Sequence, residues 1–114
     1  MNWLTILKYV AVAVTLVTGL ISIFWPGSIQ GFTGLVASSP RATSEIRAVM
    51  GGVFVGLAVA VVLFRTPEAF KMLGIAFAAI ALVRGISIVV DHAAVQSNLI
   101  SLASEIVLAL ILIL

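Results

Sequence analysis

Four long apolar stretches, separated by short polar breaks, dominate the pattern of this chain. A helix that crosses a hydrocarbon core of about 30 Å needs roughly 20 mostly apolar residues. Residues 9–40 carry no charge, and Val10 to Phe24 is apolar or small throughout. Trp25 falls at an interface position and Pro26-Gly27 stops the helix, which predicts a first helix at about 3–25. Ser28 to Ser39 carries Gly31 and Gly34 and reads as a loop with an interfacial helical turn. Ser39 then suits an N-cap with Pro40 at the first helical position, opening a second helix at about 40–64. In Arg65-Thr66-Pro67-Glu68 the chain turns tightly. Thr66 can cap, and Glu68 suits the positive end of a third helix at about 67–90. Asp91 and His92 begin another short connection before a fourth helix at about 96–114.

Four such helices joined by short loops predict an all-α integral membrane protein, with four transmembrane helices in an antiparallel up-down bundle and one domain over 1–114. Composition sharpens this. Hydrophobic residues make up 63% of the 114 and charged residues only 9%, too little polarity to clothe a small soluble domain. The N-terminal stretch reads as a retained span: no small-residue cleavage site follows Pro26, and three more spans come after. The net charge of +2 comes without a basic run, so no nucleic-acid partner is expected. There is no cysteine and a single histidine, His92, so no metal and no cofactor is expected. No nucleophile–base pair stands out either, which leans away from an enzyme. Lys8, Arg65 and Lys71 on one side outnumber Arg41 and Arg47 on the other. This bias predicts that both termini lie in the cytoplasm.

In lipid, helices associate through close backbone approach, so small residues mark contact faces. Ala48, Gly52, Gly56 and Ala60 recur every four residues and predict a packing ridge on the second helix. The first helix offers Ala11, Thr15, Thr18 or Gly19, and Ser22 on one face; the third offers Gly74, Ala78, Ala81 and Gly85; the fourth offers Ser97, Ser101 and Ser104.

Ionisable residues inside such helices are costly and normally face a partner or a cavity. At about 1.5 Å per residue, Arg84 lies roughly 10 Å below the Asp91 end and Glu105 roughly 12 Å below the same surface. Glu45 and Arg47 lie roughly 8–10 Å in from Pro40. All fall in the half of the molecule opposite the termini. Arg84, Ser87 and Asp91 share a helix face by spacing, as do Asn98, Ser101 and Glu105. The expectation is a buried cluster of Glu45, Arg47, Arg84, Ser87, Asp91, Ser101 and Glu105, with Arg84 paired to Glu105 and Glu45 or Asp91 completing the network. A structural or accessory helix-packing subunit, working as a homo-oligomer or within a larger membrane complex, accounts for these residues if the charges only fix helix register. The alternative is binding or transport of a lipophilic ligand or lipid head group at the Arg84/Glu105 cluster. Proton-coupled transport through Glu105 stands behind both. Membrane lipids are the expected surroundings in every case.

Glu45-x-Arg47-x-x-x-Gly51-Gly52-x-x-x-Gly56, then Arg84-x-x-Ser87-x-x-x-Asp91, then Glu105, resembles the small bacterial four-helix membrane family catalogued as domain of unknown function 4345. The likeness runs from the first helix onward. It implies a compact bundle in a bacterial cytoplasmic membrane with those polar residues as its signature, and implies no activity. Members of that family often carry glycine after the aspartate; here His92 takes the place, so the local turn is where this chain departs.

Overall fold

A computed structural model describes residues 2–114. Four helices account for most of the chain: α1 (Trp3–Phe24), α2 (Pro40–Phe64), α3 (Pro67–Val90) and α4 (Gln96–Ile113). Each is long and apolar enough to cross a membrane. Among the described residues there is no strand.

The helix starts follow local chemistry. Asn2 Oδ1 accepts from the Thr5 N–H at 2.8 Å, Ser39 Oγ from Ala42 at 3.0 Å and Thr66 Oγ1 from Ala69 at 3.2 Å. Each cap satisfies an amide that the first turn leaves without an internal partner. Pro40 and Pro67 sit just behind two of these caps, where a missing N–H costs nothing. After Trp25 the chain enters a 3-10 turn, Pro26–Ile29, and one α turn, Gln30–Thr33, closed by Gly34 at φ +78°. Arg65 ends α2 at φ +53°, with its N–H donated to the Val61 carbonyl and its Nε to that of Val62.

α2 is not uniform. Ile46–Val53 winds as a π-helix between two α segments. Bonding from i to i+5 puts more residues into each turn, so side chains no longer stack every four positions. The inward positions of α2 are Ile46, Gly51, Ala58 and Val61, with a five-residue step across the π turn. The expected ridge is therefore corrected: Ala48, Gly52 and Gly56 are exposed and Ala60 is only half-buried. A methyl added at Gly56 would touch nothing within 4 Å. Adjacent glycines made the face ambiguous, and the π turn resolves it in favour of Gly51.

Gly51 lies against α1. A Cβ placed on Gly19 would sit 2.9 Å from the Val55 nitrogen and 3.0 Å from the Gly51 carbonyl oxygen, so the two backbones meet there. The small face of α1 is otherwise as expected, with Ala11, Thr15, Gly19 and Ser22 buried. α3 and α4 meet by the same device farther from the charges: a Cβ on Gly74 would sit 2.9 Å from Leu112 Cβ. Ala81 is also buried and Ala78 half-buried, whereas the serine face of α4 is not a core face; Ala109 and Leu112 take that role.

The core gathers Ala11, Val12, Ala58, Val61, Phe70, Leu73, Phe77, Ala109 and Leu112. Tyr9 packs edge-on against Phe70 at 5.3 Å, and Phe54 against Phe77 at 6.3 Å. All but Phe54 and Phe77 belong to the half of the molecule holding the α2–α3 turn. The other half, holding Gln30–Thr33 and the α3–α4 connection, is packed less completely, and the charges lie there.

Candidate functional site

Arg84 projects from the last third of α3 and reaches α4. Its Nε and Nη2 donate to Glu105 Oε1 and Oε2, both at 2.7 Å, and its Nη1 donates to Asn98 Oδ1, also at 2.7 Å. Two parallel charge-assisted bonds fix the plane of the guanidinium as well as its position. Asn98 Nδ2 donates in turn to the Ala93 carbonyl at 3.0 Å, which ties the pair to the α3–α4 connection. Asn98 and Glu105 are seven residues apart and so stack two turns apart on one face of α4. That spacing was the available signal for Asn98, whose part in holding Arg84 had gone to Glu45 or Asp91 in the expectation above.

Neither Glu45 nor Asp91 completes the network. Glu45 is exposed and pairs with Arg41 one turn earlier on its own helix, Nη2 to Oε1 at 3.1 Å. Ile46 takes the inward position there, which turns its neighbour Glu45 outward. Asp91 is exposed and accepts from Ser87 Oγ at 2.6 Å. Arg47 is exposed as well. The cluster is also less enclosed than expected. The Arg84 and Glu105 side chains remain 29% and 12% exposed, and no charged residue among those described is fully buried. The cause is a hollow on each side of the guanidinium.

The inner hollow is a crevice of about 550 Å³ between the helices. It falls within the range of about 300–1,000 Å³ typical of small-molecule sites. Met50 and Phe54 of α2 and Phe77 and Ile80 of α3 supply apolar walls, and Ile100 and Leu108 of α4 extend them. Thr15 and Thr18 of α1, Thr33 of the interhelical turn, and Ser97, Ser101 and Ser104 of α4 add hydroxyls. Arg84 and Glu105 form its one charged wall. Four of the hydroxyls donate to a carbonyl one turn back on their own segment: Thr15 to Ala11, Thr18 to Val14, Thr33 to Ile29 and Ser104 to Ile100, at 2.7–2.9 Å. Thr15, Thr18 and Ser104 can still accept through their oxygen lone pairs, whereas Thr33 Oγ1 already accepts from the Leu35 N–H at 3.1 Å. The outer hollow, about 540 Å³, lies on the far side of Arg84 among Val83, Ser87 and Asn98. Of the expected site residues, then, Arg84, Ser101 and Glu105 line the crevice and Ser87 the outer hollow, while Glu45, Arg47 and Asp91 lie elsewhere. Thr15, Thr18, Phe54 and Phe77 join the crevice with no sequence signal beyond that of ordinary packing residues.

Among the described residues, these features define an all-helical class with four membrane-length helices and one interhelical ion pair. The chain belongs to the family described as Domain of unknown function (DUF4345), whose model matches residues 3–114. No curated protein and no solved structure matches it.

Proposed function

We propose that this protein is an antiparallel up-down bundle in a bacterial cytoplasmic membrane, and that it holds a lipophilic ligand by the ligand's polar end in the crevice beside Arg84 and Glu105. One observation carries the proposal: a crevice of about 550 Å³ has apolar walls, a row of hydroxyls and a charged pair at one side. A pair that served only to fix helix register would be stronger with the space around it filled, since enclosure removes competing water. Membrane residence accounts for the outward side chains, with Leu63, Met72, Leu82 and Val89 all exposed. The proton-relay reading draws less support, because both Glu105 oxygens are already engaged by Arg84.

The test is native mass spectrometry of protein extracted in mild detergent with its own lipids. A retained lipophilic adduct is expected, and Ser101→Phe, which fills the crevice, removes it while the protein stays folded. Wild-type protein that carries no adduct, or an adduct indifferent to Ser101→Phe, overturns the proposal.

A second reading, an accessory helix-packing subunit, is favoured by the exposed small face of α2 at Ala48, Gly52 and Gly56. Bare backbone of this kind allows close approach of another helix. If that face is occupied, Gly52→Leu lowers the mass of the detergent-extracted assembly; an unchanged mass removes this reading.

A further inference from the structure

The crevice has a wall of two opposite charges that cancel. We infer that its ligand is an uncharged amphiphile, a lipophilic molecule whose head carries a hydroxyl or carbonyl group and no net charge. This inference rests on the crevice being a ligand site, as proposed above.

Charge balance is the first ground. Among the described residues, Arg84 and Glu105 are the only ionisable ones lining the crevice, and they are locked together by two bonds of 2.7 Å. An anionic head could reach only the two N–H groups of Arg84 that Glu105 and Asn98 leave over, and would bring a second negative charge beside the Glu105 carboxylate. A cationic head on Glu105 would likewise stand beside the guanidinium. Either head adds a charge that nothing else lining the crevice compensates, which is the costly outcome in a low-dielectric site. An uncharged head leaves the pair intact.

Hydrogen-bonding capacity is the second ground. Thr15, Thr18 and Ser104 have spent their hydroxyl protons on their own helices and offer lone pairs. Ser101 lines the same crevice, and its hydroxyl can donate as well as accept. A hydroxyl head can therefore donate to Thr18 or Ser104 and accept from Ser101, and a carbonyl can accept from Ser101. The third ground is the apolar remainder of the wall. Met50, Phe54, Phe77 and Ile80 present no polar group to a hydrocarbon tail.

The experiment compares three photoreactive probes with the same 16-carbon tail: an alcohol, a sulfonate and a trimethylammonium, whose charges do not depend on pH. Each is added to the intact protein in nanodiscs, and adducts are mapped by peptide mass spectrometry. Labelling that Ser101→Phe abolishes counts as crevice labelling; labelling at outward Leu63 or Val89 counts as ordinary lipid contact. The alcohol is expected to exceed both charged probes in the crevice by about tenfold, the change that about 1.4 kcal/mol produces. Glu105→Gln, which leaves Arg84 uncompensated, is expected to bring the sulfonate up toward the alcohol. A sulfonate or ammonium probe that matches the alcohol in the wild type overturns the inference and leaves the ligand site standing. Glu105→Gln without a gain for the sulfonate overturns the charge-balance ground and the inference with it. Crevice labelling by none of the three overturns both the inference and the ligand site.

Discussion

Arg84 commits three N–H groups to two partners on α4, more than any other side chain among the described residues. Removing one partner of such a pair strands the other. Arg84→Met is expected to destabilise the protein by about 2 kcal/mol, below the cost for a fully enclosed pair because water or lipid head groups still reach the site. The double variant Arg84→Met with Glu105→Leu is expected to recover much of that loss. Thermal unfolding in detergent reads both, and a double variant as unstable as the single one contradicts the account. Arg41→Ala serves as the control, since the exposed Arg41–Glu45 pair adds little and its loss leaves the midpoint unchanged. His92 gives a second case at this scale. It holds φ +52°, a left-handed conformation in which glycine is free of strain. His92→Gly is expected to raise stability by about 0.5–1 kcal/mol in the same assay. The Arg84–Glu105 pairing was legible because two ionisable residues at matching depth, on helices adjacent in sequence, have few other ways to be satisfied. Glu45 was misplaced because depth along a helix says nothing about rotation around it.

At the scale of the element, all four helices could be read directly, because apolar length, caps and prolines are local signals. Ser39-Pro40 and Thr66-Pro67 open their helices as their chemistry requires. The packing face of α2 could not be read. Gly51 and Gly52 differ by one position, roughly a quarter turn, and only the π winding of Ile46–Val53 decides which one meets α1. Gly51 and the outward Gly56 should respond in opposite ways. Gly51→Ala is expected to cost about 1–3 kcal/mol, because the new methyl meets Ile23 and the backbone of Gly19. Gly56→Ala, which opens onto free space, is expected to be neutral or to gain up to about 1 kcal/mol from helix propensity. Equal effects at the two sites would mean that α1 and α2 do not meet at Gly51.

At the scale of the whole molecule, which measures 43 × 31 × 18 Å, the asymmetry between halves matters most. One half is filled by the Phe70–Leu73–Leu112 core and the other contains the crevice. No local pattern encodes that difference. The glycine contacts fall at different levels, Gly74 drawing α3 and α4 together in the filled half and Gly19 with Gly51 drawing α1 and α2 together nearer the crevice. The same asymmetry sets an expected orientation. Lys8, Arg65 and Lys71 lie toward the filled half, so the crevice half should face away from the cytoplasm. A fluorescent protein fused after Leu114 should glow. Alkaline phosphatase inserted between Ser28 and Ser39 should be active, and the reverse pattern would turn the molecule over.

The tie between α3 and α4 also bears on how the chain is made. A ribosome delivers α3 first, with a guanidinium at residue 84 and no counter-charge on that helix near it. α4 follows with 18 residues and a carboxylate of its own, the least apolar of the four helices. Clasped together, the two compensate each other's charge within the span. Biogenesis of the second half is then expected to be a joint event, and a chain cut short before α4 should leave α3 poorly inserted in a membrane-extraction assay.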